Sequence, residues 1–402
     1  MKVRIVSWAA AIACVTVLLQ GCSGYDYLEY LTPEETETRE YMPDIMPNGK
    51  SVEEPTEEEL EEVSDVYYGY QRLSNERQIV YLEMLEALTE MKDDVKLSTM
   101  DESEIDLVFN CLMYDHPELF YVEGYKYVTH LYGNVATQIT FSGSYSMDAD
   151  RVSSAKAVLD SKINECLMNA PDDWSSGGDE YYIVKYFYEW VIDNTEYVEG
   201  SEDNQNICSV FLNGESVCQG YAKAVQYLLQ KSGIECFIVA GFAGGNRHAW
   251  NLAKINGEYY YLDPTWGDAS YSYNGDTAAM YEYAPDINYD YFLVTTDELT
   301  RTHSIEQAVE LPECDSINDN YFVREGLYFT QYDEEKLEKV FDSYASRQAG
   351  YVTIKCSDDA YEDIISELID SYKIFDFVDD KGSKVAYTFN KELKTITFWN
   401  IY

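Results

Sequence analysis

Residues 213–233 read NGESVCQGYAKAVQYLLQKSG, and the place of Cys218 within them decides how the rest of the chain is read. Ser216, followed three residues later by Gln219, has the Ser-x-x-Gln form of a capping box, which predicts a helix starting at about Val217. Tyr221, Ala224, Val225, Leu228 and Leu229 then recur as one apolar stripe, and Gly233 is well placed to end it. Cys218 falls in the first turn. There, free backbone N–H groups and the positive end of the macrodipole favour an anion, drawing a thiol from its usual pKa of ~8.5 toward neutrality. The plainer alternative is a buried sulfur, the ordinary fate of a cysteine in a helix.

A thiolate nucleophile in acyl transfer needs an acid/base partner. The chain has four histidines, His116, His130, His248 and His303. The stretch HAWNLAKINGEYYYLDPTWGD singles out His248, because Asn256-Gly257 between alternating runs is the signature of a two-residue hairpin with a type I′ turn. Such a turn pairs Ile255 with Glu258, Trp250 with Asp263 and His248 with Thr265. His248 and Asp263 then share a face as diagonal neighbours, roughly 7–8 Å apart at the backbone and within side-chain reach. Nucleophile, base and orienter are the three parts of a catalytic triad, with Cys218 attacking a carbonyl, His248 moving the proton and Asp263 fixing the imidazole. Read singly, each has a bland account: filler sulfur, structural histidine, and an Asp-Pro turn opener. Backbone N–H groups around Cys218 are candidates for an oxyanion hole. Gln219 is either a donor there or the cap, while Trp250 and Trp266 are either cleft walls or core. The Gly244-Gly245 run is too short for a phosphate loop.

ESVCQGYAKAVQYLLQKSGIECFIVAG followed by RHAWNLAKINGEYYYLDPTWGD resembles the transglutaminase-like superfamily, whose Cys, His and Asp motifs come in this order. The resemblance runs across roughly residues 182–268, and more loosely to DHPELFYV upstream and YFLVTTDELTRTHS downstream, as in bacterial, often lipid-anchored members. It implies an α+β, papain-like core in which the cysteine helix packs against an antiparallel sheet carrying His and Asp. By that match Cys218 is similar to the family nucleophile, His248 to its base and Asp263 to the third member.

With 74 acidic against 28 basic residues, the chain carries a net charge of −46, which leaves nucleic acid an unsuitable partner. Lys2 and Arg4 precede an apolar run from Ile5 to Leu19, and Leu19-Gln20-Gly21-Cys22 resembles the bacterial lipoprotein signal motif. The expectation is a signal peptide over 1–21, lipidation of Cys22 and a position on the outer face of the cytoplasmic membrane. Residues 22–65 read as an acidic tether with a short helix in EELEEV. An accessory helical and β region follows over 66–150, with one amphipathic helix from Tyr67 to Lys96 on Ile79, Leu82, Leu85 and Leu88, and a second over Glu102–Met113. The catalytic core is placed at 151–311, and a small α+β module at 312–402 running strand, helix, strand, helix, strand, strand from YFVREGLYFT onward. No C-x-x-C spacing appears among the nine cysteines, so structural zinc is disfavoured and no cofactor is called for.

The triad fixes a chemical class, a thioester formed from an amide or ester carbonyl. The reading is an exported enzyme hydrolysing peptide or amide bonds of a peptide or protein substrate. The alternatives are a protein-crosslinking transglutaminase and a non-catalytic, surface-anchored binding protein.

Overall fold

The computed structural model describes residues 2–7, 34–40, 66–132, 135–171, 178–201, 203–268, 287–306, 309–378, 385–399 and 401. Cys22 and the expected EELEEV helix lie outside them. Within residues 1–65, β1 (Lys2–Ser7) and β2 (Glu34–Glu40) pair antiparallel. Among the described residues no helix is long and apolar enough to cross a membrane.

The first helical region departs from a single amphipathic helix. A one-turn helix, Tyr68–Gln71, is followed after Ser74 by α1 (Asn75–Thr89), and Val95–Leu97 is strand β3. The buried stripe of α1 is Val80, Tyr81, Met84, Ala87 and Leu88, one step round from the expected face. Both faces carry apolar residues, and tertiary packing chose between them. The second helix, α2 (Glu102–Asp115), starts as expected, with the Asp101 carboxylate accepting the Ser103 N–H at 2.9 Å. The hairpin β4 (Val122–Tyr132) and β5 (Val135–Tyr145) completes a sheet in the order β2-β1-β4-β5-β3. Two long helices follow, α3 (Ala149–Met168) and α4 (Glu180–Asp193), each capped by an aspartate.

A parallel pair of two-residue strands, β6 (Glu196–Tyr197) and β7 (Glu215–Ser216), leads into α5 (Cys218–Lys231). This helix packs on an antiparallel sheet ordered β10-β9-β8-β11, built from β8 (Cys236–Ala243), β9 (Asn246–Ile255), β10 (Glu258–Leu262) and β11 (His303–Ile305). Tyr221, Ala224, Val225, Leu228 and Leu229 of α5 are all fully buried, each large side chain contributing about 1.5–3 kcal/mol. This is the α+β, papain-like arrangement that the resemblance implied. One continuous core runs from Tyr70 to Leu293, so residue 150 does not divide two cores. The end of α2 is tied to α5 directly: Gln226 Nε2 donates to the Tyr114 carbonyl at 2.6 Å and Gln230 Nε2 to the Asp115 carbonyl at 2.9 Å.

The C-terminal part has a core of its own, around Phe341, Ile354, Ile364 and Phe398. Its sheet runs β12-β13-β15-β14, from β12 (Tyr328–Phe329), β13 (Tyr351–Cys356), β14 (Ala386–Asn390) and β15 (Thr395–Trp399), with α6 (Glu334–Ser346) and α7 (Asp358–Ile365) packed against it. YFVREGLYFT, expected as one strand, is a helical turn at Tyr321–Arg324 and then the two residues of β12, because Asn320 caps the turn through Phe322 N–H at 3.2 Å. The tip of the β9–β10 hairpin is fastened to both neighbours. Asn256 Nδ2 donates to Asp179 at the start of α4 (3.0 Å) and to Asp319 (3.1 Å), while Arg324 bonds the same two carboxylates.

Candidate active site

Cys218 opens α5 behind Val217, whose extended backbone (φ −120°, ψ 177°) makes it the N-cap. The expected Ser216–Gln219 capping box does not form. Ser216 is held in β7, where its hydroxyl donates to the Asn204 carbonyl at 3.0 Å and lies 2.7 Å from Ser209 Oγ. No side chain caps α5. Gly220 N–H and Tyr221 N–H both return to the Val217 carbonyl (2.9 and 3.2 Å), so the first-turn donors left to face an anion or a developing oxyanion are those of Cys218 and Gln219. The same packing explains Gly220: a Cβ there would fall 1.9 Å from Ser216 Oγ and 2.7 Å from Ser209 Oγ, so only glycine lets the loop close on the first turn of the helix.

Seven cysteines lie among the described residues, all as free thiols, and Cys218 alone is not buried. Burial pushes the thiols of Cys111, Cys166, Cys208, Cys314 and Cys356 up to about 12.

The hairpin reaches the site with the expected register. Asn256 and Gly257 have φ of 51° and 90°, as a type I′ turn requires, and Ile255 faces Glu258. Pairing stops at Leu262 opposite Asn251, so Thr265 is not in the ladder. Asp263 instead caps the one-turn helix Pro264–Gly267, its Oδ1 accepting Thr265 N–H at 3.0 Å and Trp266 N–H at 3.1 Å. Its other oxygen, Oδ2, lies 2.6 Å from His248 Nε2. Turn opener and imidazole partner are thus two oxygens of one buried carboxylate. Cys218 hydrogen-bonds His248, and because Nε2 is engaged by Asp263, Nδ1 is the nitrogen left for sulfur.

The electrostatics follow from burial and pairing. Burial alone would lower the His248 pKa, but the Asp263 charge and hydrogen bond, with Cys218 behind them, outweigh it and hold the imidazole well above its ordinary value. For Asp263, burial alone would raise the pKa; His248 and then His303 hold the carboxyl well below the usual carboxylate range. The pair is a buried ion pair whose remaining lone pairs are filled by N–H donors, the condition under which burial of charge is tolerated.

His303 was not singled out by sequence reasoning, and its Nε2 lies 3.1 Å from the same Asp263 Oδ2. The one available signal was scarcity, since it is one of four histidines in the chain. Trp250 is fully buried, its ring 5.9 Å from that of His248, so it is core rather than cleft wall. Trp266 is half-buried, 6.1 Å from the His248 ring, and remains on the rim of the site. Gln219 is buried beside Cys218 and does not act as the partner of a cap. Among the described residues, His248, Asp263 and His303 are the one grouping with ligand atoms close enough for a metal ion, within 4.8 Å of one another. Those atoms are already joined at 2.6 and 3.1 Å as a hydrogen-bonded set.

Residues 172–264 match the model of the transglutaminase-like superfamily, a span that holds Cys218, His248 and Asp263. The chain carries a transglutaminase-like domain. Human kyphoscoliosis peptidase is 25% identical over 130 residues, covering 28% of this chain, and its mouse counterpart 23% over 129 residues. The match covers 19% of the human protein's length and 18% of the mouse protein's. Among solved structures, a TGase aligns with 32% of this chain and 41% of its own at a TM-score of 0.24 and 15% identity. The periplasmic domain of TgpA from Pseudomonas aeruginosa, bound to ethylmercury, aligns with 33% of this chain and 57% of its own at 0.21 and 16%. His303 and the whole C-terminal part lie beyond the matched transglutaminase-like domain.

Proposed function

We propose that this protein is a cysteine-dependent acyl-transfer enzyme that hydrolyses peptide or amide bonds through a thioester. The reading rests on one observation: Cys218, the least buried thiol among the described residues, is hydrogen-bonded to an imidazole whose far nitrogen lies 2.6 Å from a buried carboxylate. In that chain the sulfur is the nucleophile, with its proton on His248. Attack on the carbonyl forms a C–S bond, and collapse breaks the C–N bond as imidazolium gives its proton to the leaving amine. Water then attacks the thioester with His248 taking its proton, releasing the acid and restoring the starting pair. The uncapped first turn of α5 supplies N–H donors for the oxyanion. Water as acceptor is favoured by the relatives, which are named peptidases.

The sequence layout over residues 1–22 supports the reading of export and lipid anchoring through Cys22, with the domain on the outer face of the cytoplasmic membrane. Metabolic labelling with a palmitate analogue checks this: label should enter the wild type and be lost in Cys22→Ala.

The decisive experiment incubates wild type and Cys218→Ala with a peptide library, with and without a primary amine. Cleavage by the wild type alone is expected. Amine adducts without cleavage would assign the site to crosslinking, and no change in either arm would leave a binding protein.

A further inference from the structure

We infer that His303 is a positioning residue for this acyl transfer, its Nε2–H holding the Asp263 oxygen that also serves His248; the inference rests on the functional reading above. An ionised carboxylate only accepts, so at 3.1 Å from Asp263 Oδ2 the His303 Nε2 is the donor. Thr302 Oγ1 lies 2.9 Å from His303 Nδ1, and the Tyr291 hydroxyl lies 2.9 Å from Thr302 Oγ1. Thr302 Oγ1 also reaches the Leu299 carbonyl at 3.4 Å, so the ring is held on its Nδ1 side by an anchored hydroxyl and its Nε2 edge is aimed at Asp263. The His303 side chain is 0% exposed, walled by the rings of Trp266 (4.8 Å), Trp250 (5.0 Å) and Tyr291 (5.1 Å), so water has no access to replace the donor.

The fold brings this histidine in from outside the hairpin. His248 pairs with Gly241 of β8 on one side, and His303 pairs with Ala243 of β8 on the other. Residues two apart on a strand share a face, so both imidazoles stand on the same side of the sheet. A Cβ at Gly241 would meet the Ser304 carbonyl oxygen at 2.0 Å and the Trp250 ring at 2.9 Å. Glycine thus lets β11 and the indole close over β8, which carries His303 to Asp263. With His303 in place, Asp263 accepts four N–H donors, from His248, His303, Thr265 and Trp266. It stays charged and cannot swing away when His248 moves its proton. The titratable groups facing the Asp263–His303 contact are His248 from β9 with Cys218 behind it on α5, Tyr291, and Tyr188 of α4, whose hydroxyl donates to the Asp263 carbonyl at 3.2 Å.

The test measures iodoacetamide alkylation of Cys218 against pH in the full chain for wild type, His303→Leu, His303→Gln and Thr302→Val, with circular dichroism for folding. His303→Leu should slow alkylation at neutral pH by roughly ten- to a hundred-fold, the value of a hydrogen bond to a charged group. Its acid limb should move to higher pH, because the carboxylate has lost a donor to its charged form. His303→Gln, which keeps an N–H near the Nε2 position, should stay within about threefold of wild type. A residue that merely fills the aromatic enclosure would give the reverse order, with Leu milder than Gln, and that order overturns the inference. Should His303→Leu fail to fold, Thr302→Val decides, since loss of the contact that orients the ring from its Nδ1 side should also raise the acid limb and an unmoved limb overturns the assignment. A wild type without fast alkylation overturns the acyl-transfer reading and this inference with it. A fast wild type with an unchanged His303→Leu overturns this inference alone.

Discussion

The corner at Asp115-His116-Pro117 and the triad region each hold a cysteine, a histidine and buried carboxylates, yet they are chemically unlike. Around the corner, His116 Nδ1 lies 2.7 Å from Glu118, and its Nε2 has no hydrogen-bond partner. Asp115 is fully buried and accepts Gly69 N–H (2.9 Å), Tyr70 N–H (2.8 Å) and the Tyr81 hydroxyl (2.9 Å). Cys111, one helical turn before Asp115, is 1% exposed, and burial with that carboxylate pushes its thiol up to about 12. At the other site the order is sulfur, imidazole, carboxylate, and the sulfur reaches the surface. A carboxylate next to a thiol opposes its ionisation, whereas an imidazole with a carboxylate behind it supports ionisation. The inventory of residue types is the same; sequence of contact and exposure make one a candidate nucleophile and the other a structural joint.

The sharpest way to break this contrast is to delete each sulfur. Cys218→Ala should abolish iodoacetamide labelling of the folded chain and lower turnover by on the order of 10⁴-fold. Cys111→Ala should leave both unchanged. Next in size, Asp263→Asn should cost on the order of 10²-fold in alkylation rate at neutral pH, while retaining the Oδ1 cap of Pro264–Gly267. The buried carboxylates of the two regions, Asp263 and Asp115, should also pull stability in opposite directions with pH. Asp263 has a depressed folded pKa, so its contribution is present above ~4 and is lost as pH falls through that lower value; His248, raised, contributes below ~6.5 and loses its share as pH climbs through its higher folded value. Asp115 behaves inversely to Asp263 and in the same sense as His248. Burial raises its carboxyl to about 6, so its stability is full below the unfolded value of ~4 and declines as pH rises through about 6. That decline, about 2–3 kcal/mol between those limits, should vanish from denaturant midpoints in Asp115→Asn. Smallest of all, His116→Gln should change turnover less than about twofold and stability by roughly 1 kcal/mol. A large loss of activity there would mean the corner does more than hold α2 to α5.

What could be read from sequence was what short-range geometry dictates. Asn256-Gly257 commits the backbone to a tight reversal, the reversal sets register, and register delivers His248 to Asp263. Where a local signal competed with a distant partner, the distant partner won. Ser216 had the right spacing to cap α5, but the Asn204 carbonyl and Ser209 took its hydroxyl. In α1 the stripe through Ile79, Leu82 and Leu85 was as apolar as the one through Val80, Tyr81 and Met84, and only the neighbouring chain distinguishes them. His303 was invisible for a related reason. It joins the site through β8–β11 pairing, which no turn between adjacent strands prescribes.

The fastening at Asn256 bears on modularity. The ribbon that aims the imidazole is gripped at its far end by Asp179 from one side and by Asp319 from the other, with Arg324 clasping both. Exchanging the last ninety or so residues for another module would also loosen the ribbon that aims His248. A transplanted hairpin would therefore need that clasp rebuilt before it held the imidazole in place.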